Sequence, residues 1–320
     1  MRTSERVPKR ISRKLPKLIT VQGLLAADLA FNQTTKFKEW DAVTPTREDI
    51  WATLPITWHP DLQALLPVSG KDLLKKQSAK VKRDWDMVLP AFPDASYDDY
   101  LYAWLLVNTR TFYYTNKKTE KLPPHECMVL QPVADLFNHA DEGCGVQFDA
   151  TSFEFLSKRP YVKGEEVYIS YGSHSNDLLL VEYGFILETN RWDEACIDDV
   201  VLPELSGRQK EQLEERGFLG KYMVDAENVC HRTQVALRIL CVSRDKWEAF
   251  ADGMDDGERE QEKVDRLLLS MLKKYEKVAT KRVVEVGAIE VGQECHRDVL
   301  SRRWKQIQRL IANAIEKLES

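Results

Sequence analysis

The chain has 320 residues, 43% hydrophobic and 30% charged, with a formal net charge of −5, a make-up that suits a globular protein long enough for two units and a sizeable core. No apolar run approaches the length of a membrane span, and the net acidity argues against direct nucleic-acid binding, which calls for a basic excess. Six cysteines, at 127, 144, 196, 230, 241 and 295, stand at irregular spacings with no CxxC pair and no secretory signal, so a reducing intracellular compartment, cytoplasm or nucleus, is expected rather than a disulfide framework. Cys230-His231 and Cys295-His296 would need ligands gathered from distant segments, and no metal site is expected.

The first eighteen residues carry seven Lys or Arg and one acid, Glu5. Pro8 and Pro16 interrupt any amphipathic helix there, so this stretch reads as a disordered arm or an imperfect gene start, within a basic N-terminal arm over 1–30. From about Phe31 to Tyr114 the signal is helical. Leu74, Ser78, Val81, Trp85 and Val88 recur at steps of three and four, marking one helix face opposite Lys75, Lys76, Lys80, Lys82 and Arg83. Pro90 and Pro93 end that helix, and a second runs from Asp98 to Phe112 with Leu101, Trp104, Leu105 and Asn108.

Between Met128 and Ser170 the period shifts towards two. Val146-Gln147-Phe148, Phe153-Glu154-Phe155-Leu156 and Val167-Tyr168-Ile169-Ser170 read as short strands, with Lys163-Gly164-Glu165-Glu166 as a turn. After Asn190 the pattern is helical again. Ser206 with Gln209 makes a capping box for a helix through Arg216, and Gly217 stands where a C-cap is wanted. Further helices are expected over Asp225–Cys241, Lys263–Ala279 and Val299–Leu318, the last with a stripe of Leu300, Trp304, Ile307, Ile311 and Ile315. An acidic linker between Asp252 and Glu262 separates the first two.

Two segments in the middle of the chain belong together. Asp135-Leu136-Phe137-Asn138-His139 is followed by Tyr171-Gly172-Ser173-His174-Ser175-Asn176-Asp177-Leu178-Leu179-Leu180-Val181-Glu182-Tyr183-Gly184-Phe185. In this order and spacing the pair resembles the C-terminal half of a SET domain, in the branch that includes the Rubisco large-subunit lysine methyltransferase. The resemblance implies an α+β chain: a SET β-fold with a helical insertion, then an all-α C-terminal substrate-binding domain. Its expected bounds are a SET domain over 31–187, with the insertion at about 31–120 and the catalytic half at about 121–187, and a helical domain over 195–320. It also implies S-adenosylmethionine as cofactor and a lysine-bearing protein as substrate.

Residue roles follow from the same resemblance. Tyr171 matches the catalytic tyrosine whose hydroxyl orients the methyl group and the incoming nitrogen, and which also touches the cofactor. Read by residue chemistry alone, it is a core tyrosine with a locally satisfied hydroxyl. Asn138 and His139 match the pair that holds the cofactor, His139 more through packing and hydrogen bonding than as a base. Arg110 stands where a guanidinium meets the cofactor carboxylate, a surface salt bridge being the alternative. Asp135 matches the acid facing the substrate channel, with a helix N-cap as the competing reading. Tyr183 and Phe185 match the aromatic set around substrate and cofactor, with plain core packing as the competing reading. Trp40, Trp51 and Trp58 receive no role, and Asn176 with Leu178, Leu179 and Leu180 reads as packing.

In one respect the chain departs from the pattern. The glycine-rich GxG segment with which the family begins is not visible before Leu18-Ile19-Thr20-Val21. This keeps open a reading from a different class, a catalytically inactive SET-derived binding or scaffold protein lacking the N-terminal part of the cofactor site.

Overall fold

The computed structural model describes residues 7–31, 38–117, 119–149, 152–227 and 229–320. The chain forms two compact units, each discontinuous in sequence: residues 1–57, 73–174 and 180–187 make the first, and 58–72, 175–179 and 188–320 the second. The fold is α+β, with helices joined by three two-stranded antiparallel sheets among the described residues.

Helix Tyr97–Arg110 lies at the centre of the first unit. Ser96 caps it by accepting the Asp99 N–H, while Asp98 and Asp99 occupy its first turn and Arg110 its last, the signs that the helix dipole favours. Tyr100, Trp104 and Val107 on this helix are fully covered, and helix Val21–Phe31 packs along it. The expected disordered arm is therefore ordered core from Val7 onward. Val7, Ile11 and Leu15 recur every four residues and are buried, which anchors a segment whose basic residues remain in water. Residues 1–6 of that arm, and 32–37 of the expected helical region, lie outside the described residues.

The expected basic helix spans Val68–Val88. Its buried positions are Gly70, Leu74, Gln77, Val81, Asp84 and Val88, whereas Ser78 is exposed and Trp85 only partly covered. The period was right, but two polar residues complete the inner face. Asp84 is satisfied there by Thr20 Oγ1 at 2.6 Å and Trp104 Nε1 at 3.2 Å. The next helix ends at Arg110 rather than Phe112, because Thr111–Tyr113 (β1) pairs with Met128–Leu130 (β2). His139–Phe148 (β3) pairs through its second half with Phe153–Leu156 (β4). The expected strand at Val167–Ser170 forms no ladder; Ile169 makes isolated bridges to both His139 and Cys144, so its backbone is shared between two points of a looping segment.

In the second unit Glu194–Cys196 (β5) pairs with Met223–Asp225 (β6). That pairing occupies the start of the expected Asp225–Cys241 helix, which begins only at His231. Helix Gly207–Glu215 carries the expected capping box, with Gly217 following at φ 73°. Helices Gln261–Ala288 and Glu294–Glu319 pack against each other, and the stripe Leu300, Trp304, Ile307, Ile311 and Ile315 is buried.

Arg303, on the hidden side of that last helix, is fully buried. It donates to Asp177 Oδ1 at 2.6 Å, Asp193 Oδ2 at 2.7 Å and the Glu194 carbonyl at 3.0 Å. Asn176 donates to Gln306 Oε1 at 3.0 Å, so the polar residues of the second motif are held in a hydrogen-bonded cluster rather than by apolar packing alone. Breaking one member of a buried ion cluster strands the others. Arg303→Met should lower the unfolding free energy in urea by about 3–5 kcal/mol, and adding Asp177→Asn and Asp193→Asn should recover much of the loss. An unchanged denaturation midpoint in the single variant would show that the cluster does not hold this unit together.

Candidate functional site

The residues that line the site all belong to the first unit. Arg110 closes helix Tyr97–Arg110 and β1 follows directly. After β2 the chain turns at Val133, φ 78°, into a short 3-10 turn, Ala134–Leu136, that carries Asp135 inward. Residues 138–144 are then paired with 168–171. Ile169 N–H donates to the Asn138 carbonyl at 2.9 Å, Cys144 N–H to the Tyr168 carbonyl at 2.8 Å, and Ser170 N–H to the Cys144 carbonyl at 3.1 Å. Gly143 is required for this approach, since a Cβ there would lie 2.4 Å from the Ile169 carbonyl carbon. Finally a single π turn, Leu179–Tyr183, delivers Tyr183.

These segments enclose a cleft of about 350 Å³ with six aromatic side chains in its walls: Phe112, Tyr113, Phe137, Phe148, Tyr171 and Tyr183. The Tyr171 hydroxyl donates to the Phe137 carbonyl at 2.8 Å. One face of its ring stacks on His139 at 5.0 Å between centroids, and Tyr183 lies 5.1 Å away. The Tyr171 N–H donates to His139 Nδ1 at 3.1 Å, and the same nitrogen lies 3.4 Å from the Ile169 carbonyl. Burial lowers the His139 pKa, which keeps the ring neutral. It raises both phenols, Tyr183 to about 12, so both hydroxyls stay protonated donors.

Asp135 and Arg110 form the charged wall. Arg110 Nη1 donates to the Asp135 carbonyl at 2.6 Å and lies 3.7 Å from its Oδ2, and the same Oδ2 accepts the Trp40 indole N–H at 2.6 Å. Asp135 Oδ1 and Arg110 Nε are buried without a hydrogen-bond partner among the described residues. Burial pushes the Asp135 carboxyl pKa up, against the opposing pull of Trp40 and Arg110. Unsatisfied groups of opposite sign at one cleft are costly in a resting protein and suit a polar ligand.

Of the residues singled out by sequence, Tyr171, Arg110, Asp135 and Tyr183 line this one cleft. His139 and Phe185 back it, Phe185 standing 6.1 Å from the His139 ring and 6.4 Å from that of Tyr171. Asn138 is different: its side chain is exposed and donates to Glu166 Oε1 at 2.7 Å. Asp135 sits inside the 3-10 turn and caps no helix, and Arg110 meets a buried partner rather than a surface one. Trp40 was missed. A buried indole N–H must find an acceptor, and that need was the one signal available. Among the described residues no group of three His, Cys, Asp or Glu is placed to hold a metal ion, and no helix is long and apolar enough to cross a membrane.

Comparison with known proteins agrees with this geometry. Residues 31–172 match the SET domain, and residues 194–317 match the ribosomal lysine N-methyltransferase 2 C-terminal domain. Ribosomal lysine N-methyltransferase set11 of Schizosaccharomyces pombe is 28% identical over 229 residues, 67% of this chain and 58% of its own length. SET domain-containing protein 4 of Homo sapiens is 31% identical over 227 residues, 62% of this chain and 50% of its own. The chain thus spans about half the length of the curated relatives it matches. The crystal structure of the SET domain of LSMT bound to lysine and AdoHcy shares the fold, with a TM-score of 0.58 and 18% identity, over 98% of this chain and 80% of that one. The chain thus carries a SET-domain match followed by a match to the ribosomal lysine N-methyltransferase 2 C-terminal domain, and it shares the fold of the LSMT SET-domain structure.

Proposed function

We propose that this protein transfers a methyl group from S-adenosylmethionine to a lysine side chain of a protein substrate. The observation that carries the reading is the Tyr171 hydroxyl, fixed on the Phe137 carbonyl inside an aromatic cleft that also holds the Asp135–Arg110 pair. The named activities of the relatives and the lysine and AdoHcy of the neighbouring structure support it. In this proposal the SET domain spans 31–187 and the helical domain over 195–320 binds the substrate, bounds supported by the two family matches. An intracellular setting is part of the same reading, supported by six free cysteines.

The residues present fit the cofactor. Arg110 keeps a buried, unpartnered Nε beside the cleft and would hold a carboxylate, with His139 and Phe185 behind it; Asn138 would join them by exchanging its bond to Glu166 for one to the ligand. Ring faces suit a sulfonium through cation–π attraction. When bound, S-adenosylmethionine supplies a methyl group on a positively charged sulfur, which any nucleophile in line can take.

The remaining work falls to this chain. An aromatic passage fixes the direction of approach, which is much of the catalysis. Its dryness lowers the lysine pKa from about 10.4, so the amine is released without a strong base. Asp135, through its open Oδ1, accepts an N–H of the incoming amine, and the Tyr171 hydroxyl orients the reacting groups, with Tyr183 closing the lysine side.

Three measurements test this. Isothermal titration should show saturable binding of S-adenosylmethionine, weakened in Asn138→Ala; no binding at millimolar ligand would favour the non-catalytic binding module. Tyr171→Phe should reduce labelled methyl transfer by about a hundredfold and stability by only about 1 kcal/mol, and wild-type turnover would remove Tyr171 from the chemistry. The third concerns charge. A carboxyl whose folded pKa is raised keeps its proton to higher pH, so the Asp135 carboxylate should form above the free value of about 3.9. Arg110 is the titratable group that acts on it, and Asp135 in turn helps to raise the Tyr171 phenol. Trp40→Phe removes a bond to the ionised form, so the Asp135 carboxyl resonance should titrate at still higher pH; an unmoved titration would show that the indole does not hold it.

A further inference from the structure

We propose that Asn108 and Gln77 are positioning residues for Tyr183, acting through Glu182, and so set the lysine side of the cleft. The inference rests on the methyl-transfer reading for its functional half and on geometry for the rest. A π turn holds one more residue per turn than an α-helix and is found disproportionately at functional sites. Leu179–Tyr183 is such a turn, and Gly184 ends it at φ 85°, where a Cβ would lie 2.9 Å from Thr53.

The carbonyls of that turn are taken by side-chain amides from two other helices. Gln77 Nε2 donates to the Val181 carbonyl at 3.1 Å and to Glu182 Oε2 at 3.0 Å. Asn108 Nδ2 donates to the Glu182 carbonyl at 3.0 Å and to the same Oε2 at 2.9 Å. Gln22 Nε2 donates to Asn108 Oδ1 at 2.7 Å, which fixes which end of the Asn108 amide faces Glu182. Two helices therefore converge on the residue immediately before Tyr183, and a third braces one of them through Gln22. Each amide grips both the main chain and the side chain of the turn, so a slip of one residue would break four bonds at once. Apolar packing could bury this turn equally well, but it would not specify the register that sets Tyr183 against Tyr171 at 5.1 Å. Asn108 also lies two residues before Arg110, so one helix positions both walls of the cleft.

The test uses the full chain with 3-fluorotyrosine at position 183. The native protein should give one sharp fluorine resonance, and Asn108→Leu should shift or broaden it while the fold persists by circular dichroism. Methyl transfer provides the second readout. Asn108→Leu should lower kcat/KM for the protein substrate by about tenfold or more, yet add little to Tyr183→Ala, because both remove the same contribution. Glu182→Gln, which keeps an acceptor oxygen, should retain most activity. If Asn108→Leu does not fold, Gln77→Met is read in the same way. An unchanged resonance in the folded variant overturns the inference, and losses that multiply fully in the double variant overturn its functional half. A native chain that transfers no methyl group would sink the methyl-transfer reading instead, leaving the fluorine spectrum to decide the positioning.

Discussion

The close pairing of residues 138–144 with 168–171 is the constraint on which the site depends. Each segment alone is weak secondary structure, with Ile169 making only isolated bridges. Together they exchange three main-chain hydrogen bonds and a fourth to the His139 ring, and Gly143 admits an approach that any side chain would block. This contact fixes where Tyr171 leaves the backbone. It also leaves the Phe137 carbonyl as the acceptor for the Tyr171 hydroxyl, so both ends of the tyrosine are specified by the same crossing.

Two buried charge clusters show how differently the chain treats ionised groups. Around Arg303 the guanidinium meets two carboxylates and a carbonyl at hydrogen-bond distance. All three nitrogens of that guanidinium have an acceptor. At Asp135 and Arg110 the pairing is loose, at 3.7 Å, and one atom on each side is left unsatisfied. Burial without full compensation raises the Asp135 pKa. Incomplete pairing of this kind is characteristic of sites that await a ligand, where local stability is given up for recognition.

Much of this was legible in the sequence, for stated reasons. The motif pair carried the fold, and four of the residues named from the resemblance, Arg110, Asp135, Tyr171 and Tyr183, meet in one cleft. Helix spacing also survived, as the stripe from Leu300 to Ile315 shows. What hydrophobicity could not reveal was polar burial. On helix Val68–Val88 an apolar reading chose Ser78 and Trp85, whereas Gln77 and Asp84 occupy the inner face because partners from distant segments satisfy them. Trp40 was opaque for the same reason, its acceptor being 95 residues away. The basic arm misled in the opposite sense: charge suggested disorder, while three apolar residues at helical spacing were enough to seat it.

The reach of these contacts bears on how the protein comes into being. Trp40 must wait for Asp135, and Gln77 for Val181 across 104 positions. Closing such loops costs chain entropy before any contact repays it, which makes folding slow. During synthesis the first unit cannot be completed until residues 180–187 have emerged. Until then the apolar faces of helices Val21–Phe31 and Val68–Val88 stand partly uncovered, a state prone to self-association. The cleft is thus assembled as a whole, once the last of its segments has emerged.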